Sequence, residues 1–188
     1  MAKEVEIKFR IGDLMALTRA LKRAGFRRIT RSTHEVNSLY DLPGQQLRAR
    51  GELLRLRKYG KDWVLTHKSK GKAGRHKVRV ELETRIENGE QMDAILRALG
   101  FAPTFRYEKY RAEWSDGTGH AVIDETPVGR FGELEGPARW IDRTARALGI
   151  AAENYITQTY ADLFFSWKSA NRSLAKEMTF KAVGGRKR

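Results

Sequence analysis

The chain has no cysteine, which excludes disulfides, thiolate metal ligands and a cysteine nucleophile. Proline occurs only 4 times in 188 residues, and no Pro/Gly/Ser-rich stretch interrupts the chain as a linker. One domain with a sizeable core, over residues 1–167, is therefore expected, followed by a basic and frayed tail over 168–188. No apolar run approaches the length that spans a bilayer, and the N-terminal residues are charged where a secretory signal would be apolar. A soluble, cytoplasmic protein with no membrane partner is the expectation. Acidic residues are scarce beside basic ones, 23 Asp/Glu against 37 Lys/Arg, for a formal charge of +14. The surplus is uneven: residues 1–87 carry net +12, residues 88–167 net −4 and residues 168–188 net +6. That asymmetry suits an anionic ligand on one side and a metal on the other. Also missing are a Gly-x-Ser-x-Gly elbow and a Walker loop, since the basic loop Lys70–Arg75 lacks the Gly-Lys-Ser/Thr ending. The four histidines show no zinc-ligand spacing.

What is present begins with Glu4-Val5-Glu6-Ile7-Lys8. As a strand, its period of two puts Glu4, Glu6 and Lys8 on one face and Val5, Ile7 and Phe9 on the other. Two carboxylates on one wall suit a hard divalent cation, and the adjacent lysine suits the phosphate that such a cation escorts.

A gapless internal repeat lies 75 residues further on. Val5–Ile11 overlies Val80–Ile86, and Leu21–Phe26 overlies Leu96–Phe101, so each copy reads strand, helix, Gly-Phe. Lys8 overlies Glu83. Helices are expected over about Asp13–Ala24, Gly89–Leu99, Ala138–Leu148 and Thr157–Lys168, with Asp13 and Asn88 as caps. Strands are expected over about Thr33–Asp41, Glu52–Tyr59, Asp62–Ser69, Phe105–Trp114, His120–Glu125 and Arg130–Glu135, with Leu42–Gln46 a turn.

The strands share an oddity. Arg55 and Arg57 alternate with Leu54 and Leu56; Arg79, Glu81 and Glu83 alternate with Val78, Val80 and Leu82; Lys109 and Arg111 share a face; Glu133 and Glu135 flank Leu134. A sheet charged on one side and covered by helices on the other can close so that its charged faces meet across a lumen. Burying so many unpaired ions would cost several kcal/mol each, roughly, so the lumen must hold water and a ligand. A polyphosphate satisfies the cations, and Mg²⁺ or Mn²⁺ bridges it to the glutamates.

In these residues the chain resembles the CYTH proteins, or triphosphate tunnel metalloenzymes, which include thiamine triphosphatases, inorganic triphosphatases and class IV adenylyl cyclases. The resemblance spans about Glu4 to Leu163. It rests on Glu4-x-Glu6-x-Lys8, on Arg55 and Arg57, on Lys68 after Trp63–Thr66, and on Arg79, Glu81 and Glu83. It continues through Glu108-Lys109-Tyr110-Arg111, Ile123-Asp124, Gly129, Phe131 and Glu133-Leu134-Glu135. It implies an α+β fold, an antiparallel eight-stranded β tunnel of two pseudo-repeated halves with helices outside. It further implies that Lys8, Arg55, Arg57, Lys68, Arg79, Lys109 and Arg111 grip the triphosphate, with Lys8 and Glu6 at the reacting centre. Glu4, Glu6, Asp124, Glu133 and Glu135 would hold one or two Mg²⁺ or Mn²⁺ ions, with Glu81 and Glu83 beside or behind them. One departure is Asn154-Tyr155, where many members have Ser-Tyr, which leaves the contact of Tyr155 open.

The resulting expectation is metal-dependent hydrolysis of an organic or inorganic triphosphate. Cyclisation of ATP to cyclic AMP and pyrophosphate is the alternative, and nothing in the sequence spells an adenine pocket. A polyanion or nucleic-acid binding module is the non-enzymatic rival; aromatic stacking positions do not recur along a basic face, so nucleic acid is not the main partner expected. The partner is a small-molecule triphosphate, and a homodimer is left open.

Overall fold

The repeated strand, helix and Gly-Phe units recur in the fold with matching boundaries. The computed structural model describes residues 2–72 and 74–184. In chain order these form β1 (Ala2–Arg10), α1 (Leu14–Arg23), β2 (Arg27–Asp41), a short α2 (Gln46–Ala49), β3 (Leu53–Tyr59), β4 (Asp62–Lys68) and β5 (Lys77–Ile86). Then follow α3 (Gly89–Ala98), β6 (Ala102–Ser115), β7 (His120–Thr126), β8 (Gly129–Glu135), α4 (Ala138–Ala147), a 3₁₀ turn (Ala152–Asn154), α5 (Tyr160–Ala170) and α6 (Phe180–Val183). Both ends of α1 recur in α3 at the 75-residue offset, and the hairpin β3–β4 recurs in β7–β8 at an offset of 67.

The repeated helices are built alike. Asp13 caps α1 by accepting from the amides of Met15 and Ala16, and Asn88 caps α3 by accepting from the amide of Gln91. Each helix ends on a left-handed glycine, Gly25 at φ 86° and Gly100 at φ 89°. The next amide, of Phe26 or Phe101, then donates to the carbonyl of Leu21 or Leu96, both at 3.0 Å. This closure needs a residue without Cβ and turns the chain back toward the sheet.

The eight strands close into an antiparallel barrel in the order β1-β5-β4-β3-β2-β6-β7-β8. Apolar residues pack mostly outside it. Ile7, Phe9, Trp114, Ile123 and Leu134 meet α1 and α4 through Leu21, Trp140 and Ile141, while Tyr40 and Leu56 meet Leu96 of α3. Close approach matters at Gly132, where a Cβ would lie 2.2 Å from the Phe9 ring, and at Gly89, where it would lie 2.0 Å from Trp63. With its outer face spent on helix packing, the sheet turns its alternate charged residues inward. One end of the lumen is apolar: Phe105, Tyr107 and Phe131 pack against Tyr160, Leu163 and Phe164 of α5.

Several boundaries differ from expectation, β6 for one starting at Ala102 and not at Phe105, and three of the differences have a clear local cause. β2 begins at Arg27, six residues before Thr33, because Arg27 and Arg28 pair with Ser115 and Trp114 in a stretch whose exposed arginines hide the strand period. α5 begins at Tyr160 because Thr159 and Asp162 form a capping box there. Leu42–Gln46 continues into α2, whose first amides are held by the Asp41 carboxylate.

Of the basic segment expected as a tail, residues up to Val183 pack on the barrel, and residues 185–188 lie outside the described residues. Met178 is fully buried beside Tyr107 and Tyr160, its amide donates to the Arg106 carbonyl at 3.0 Å, and its carbonyl accepts from Glu108 at 2.9 Å. These bonds cover the part of β6 that β7 does not reach. No helix among the described residues is long and apolar enough to cross a membrane.

Candidate active site in the barrel lumen

The lumen encloses a cavity of about 700 Å³. Its charges form two connected groups. Next to the apolar end, Asp124 of β7 is fully buried and accepts from Lys109 Nζ at 2.9 Å, from Arg111 Nε and Nη2 at 2.8 and 2.6 Å, and from the Tyr160 hydroxyl at 2.5 Å. Those donors commit both its oxygens. Glu35 of β2, also fully buried, lies 3.3 Å from Arg57 Nε and 3.4 Å from Lys109 Nζ, and accepts from Asn37 Nδ2 at 2.9 Å. Burial pushes the Glu35 carboxyl up, but Lys109, Arg57 and Arg111 outweigh it and hold the group far below the usual carboxylate range. Lys8 Nζ donates to Glu133 Oε1 at 2.6 Å, and Arg111 Nη2 donates to Glu133 Oε2 at 2.5 Å. Despite burial, Lys8 and Arg111 keep Glu133 well below its ordinary value; despite burial, Glu133 and Glu6 raise Lys8. Lys8 is thus a fixed positive charge and Glu133 a fixed negative one.

The second group is a carboxylate cluster contributed by neighbouring strands. Glu6 pairs in register with Glu135 of β8 on one side and Lys77 of β5 on the other. Lys68 Nζ lies 2.7 Å from both Glu4 oxygens and 3.1 Å from Glu81, and Lys77 Nζ lies 3.3 Å from Glu6. Among the described residues Glu135 has no such clamp: burial first, then Glu4, Glu6 and Glu81 against the opposing Lys68, push its carboxyl up to about 7. Burial likewise raises Glu4, with Glu6 and Glu81 adding to it against Lys68. Glu6 is instead lowered, because Lys8 and Lys77 outweigh its burial.

A divalent ion fits this donor set. Carboxylates crowded enough to resist ionisation would be relieved by a hard cation, and oxygen-only donors suit Mg²⁺ or Mn²⁺. Among the described residues no three acidic or imidazole groups already stand at single-ion spacing. Facing the carboxylates, the guanidinium of Arg55 reaches Thr66 Oγ1 at 3.1 Å and lies 3.7 Å from each of Glu81 and Glu83. The Nε atoms of Arg55 and Arg79 are buried without a hydrogen-bond acceptor among the described residues. Donors left in that state cost free energy unless a ligand or water supplies an acceptor.

The structure brings the residues singled out from the sequence into this one lumen. Glu4, Glu6, Lys8, Arg55, Arg57, Lys68, Arg79, Glu81, Glu83, Lys109, Arg111, Glu133 and Glu135 line the cavity, with Asp124 enclosed behind them. Sequence reasoning missed Glu35, Asn37, Lys77 and Tyr160. Glu35 and Asn37 share a strand face, and Lys77 is two residues before Arg79, so period two could have found all three. Nothing in the periodicity marks Tyr160, which reaches Asp124 from the end of a helix. Tyr155 is outside the lumen, its ring 6.4 Å from that of His76.

A family model described as the CYTH domain matches residues 2–160. A protein of Methanocaldococcus jannaschii, named "putative adenylate cyclase", is 29% identical over 171 residues, covering 85% of this chain and 97% of that protein. A structure from Vibrio parahaemolyticus, also called a "putative adenylate cyclase", superposes with a TM-score of 0.75 at 19% identity, over 86% of this chain and 97% of that one. A Hippeastrum protein called a "putative adenylyl cyclase" with "a dominant triphosphatase activity" gives a TM-score of 0.62 at 20% identity, over 87% and 95% of the two chains.

Proposed function

The chain belongs to the CYTH family, and we propose that it is a divalent-metal-dependent triphosphatase acting on a small-molecule triphosphate held in the barrel lumen. The observation that carries this reading is the pair of buried guanidinium Nε donors, on Arg55 and Arg79, that lack an acceptor beside a cluster of carboxylates. Phosphate oxygens supply such acceptors in bidentate geometry.

In this reading Arg55, Arg57, Lys68, Arg79, Lys109 and Arg111 bind the phosphates, and Glu4, Glu6, Glu133 and Glu135 would hold the metal. The metal when bound neutralises phosphate charge and orients the attacking water. Lys8 keeps its proton and stabilises charge developing on the transferred group. Asp124, which the resemblance places among the metal ligands, has both oxygens taken by Lys109, Arg111 and Tyr160, so in this reading it works with Glu35 through other residues, fixing the directions of Lys109, Arg111 and Arg57. Glu81 and Glu83 do the same for Arg55 and Lys68.

Hydrolysis is favoured over cyclisation by the state of the aromatic side chains. Tyr160 is bonded to Asp124 and covered by Lys8 and Lys109, whose ammonium groups lie 4.5 and 4.7 Å from its ring centre. Tyr107 stacks on Tyr160 and Phe105, Trp63 packs on Gly89, and Trp114 and Trp140 belong to the outer core. These rings are committed, so a nucleobase would gain little stacking. The name of the Methanocaldococcus relative favours the second reading, conversion of ATP to cyclic AMP and pyrophosphate.

Incubation with tripolyphosphate, thiamine triphosphate and ATP, each with Mg²⁺ or Mn²⁺, separates the two readings. Orthophosphate release without cyclic AMP is expected. Cyclic AMP with pyrophosphate from ATP would replace hydrolysis by cyclisation.

A further inference from the structure

Glu6 lies between unlike neighbours, Glu135 across β8 and Lys77 across β5, at the last position where β1 and β5 pair. Lys77 Nζ is 3.3 Å from Glu6 Oε1, and only 14% of its side chain is exposed. Its situation differs from that of the other lumen lysines: Lys8, paired with Glu133, also has the carboxylates of Glu6 and Asp124 acting on it. Lys68 spans Glu4 and Glu81, and Lys109 spans Asp124 and Glu35, so each keeps a carboxylate if the other is taken. Among the described residues Lys77 forms an ion pair with Glu6 alone, and the next charges acting on it are the cations Arg79 and Lys8.

A divalent ion that took Glu6 would therefore strand the Lys77 ammonium, largely out of water, among positive charges. Such a group opposes a cation arriving by itself. A cation arriving with a polyphosphate brings anionic oxygens to which the same ammonium can turn. We infer that Lys77 is a positioning residue that couples the two ligands, making the lumen take up the divalent cation together with the triphosphate in preference to the bare cation. This rests on the functional reading above and adds a residue and a binding order to it. Because coupling between two ligands is reciprocal, Lys77 raises the affinity of each in the presence of the other.

The test is binding of Mn²⁺, followed by the electron paramagnetic resonance of the free ion, with and without the non-hydrolysable imidotriphosphate. Lys77→Met should bind bare Mn²⁺ about fivefold or more tightly than the wild type, and the gain in Mn²⁺ affinity that imidotriphosphate confers should shrink by a similar factor. Lys77→Gln should behave in the same way, so that a folding defect in one variant does not decide the matter. Lys77→Arg should keep the coupling. Lys72→Met removes an exposed charge from the segment that precedes β5 and should leave both affinities as they are. Unchanged or weaker Mn²⁺ binding in both Lys77→Met and Lys77→Gln, or equal tightening in Lys72→Met, overturns the inference while the triphosphate site stands. A wild-type chain that binds neither Mn²⁺ nor imidotriphosphate overturns the functional reading, and this inference with it.

Discussion

Lys8 and Glu133 face each other across the β1–β8 pairing, Nζ 2.6 Å from Oε1, with side chains 5% and 9% exposed. A buried pair of this kind is expensive to break from one side, since the remaining ion keeps its desolvation cost without its partner. Glu133→Gln should lower the free energy of unfolding by about 3 kcal/mol, read from urea denaturation. A loss below about 1 kcal/mol would show that Lys8 is held adequately by Glu6 alone.

The lowered and raised carboxyls work in opposite directions on stability. Glu35 and Glu133 ionise far more readily in the folded state than unfolded, so their contribution is present above the ordinary carboxylate value of 4.5 and is lost as pH falls below it. Glu135, raised to about 7, contributes stability that is fully present below 4.5 and lost as pH rises from there through about 7. In metal-free buffer the melting temperature of the wild type should therefore decline between those two values. Glu135→Gln should flatten that decline, and a profile identical to the wild type would contradict the crowding of carboxylates around Glu135.

On the phosphate side, Arg55→Ala and Arg57→Ala should each lower kcat/KM by about 2–4 kcal/mol, and Arg→Lys should also be impaired because an ammonium lacks the planar fork. Steady-state kinetics on the substrate chosen by the panel above checks this. A loss smaller than about threefold would place that arginine outside the binding set.

The C-terminal segment, which by composition alone would be dispensable, should be needed for stability. Met178 is fully buried in the cluster that holds Tyr107 and Tyr160. Met178→Ala should cost about 2–5 kcal/mol, and truncation after Lys168 should lower the melting temperature further, because it also uncovers the edge of β6. Thermal unfolding unchanged by that truncation would show that the segment only rests on the barrel.

Much of this site is readable from residue order because a strand alternates faces. Glu4, Glu6 and Lys8, or Arg55 and Arg57, declare a common wall without any knowledge of the partner strands. The repeat is equally plain, since Gly25 and Gly100 must sit where the backbone turns left-handed. Less legible is whatever depends on closure and register. The carboxyl of Glu35 matters because β2 places it against Lys109 and Arg57, contacts made by residues far apart in sequence. Lys77 reads as one more cation just past the basic loop Lys70–Arg75 until β5 is seen pairing with β1. Tyr160 enters through a helix that blocks the end of the barrel, and Met178 is an apolar anchor in a segment whose charge suggests solvent.

The central claim, that the lumen is a metal–triphosphate site that hydrolyses its ligand, is tested most directly by following tripolyphosphate and Mg²⁺ with ³¹P NMR in the presence of the wild type, Glu4→Gln or Glu6→Gln. The wild type should convert tripolyphosphate to pyrophosphate and orthophosphate, and each variant should lose most of that activity at ordinary metal concentration and regain part of it with excess metal. Turnover in both variants equal to the wild type at ordinary metal concentration, or a wild type that leaves every triphosphate offered unchanged, would contradict the account.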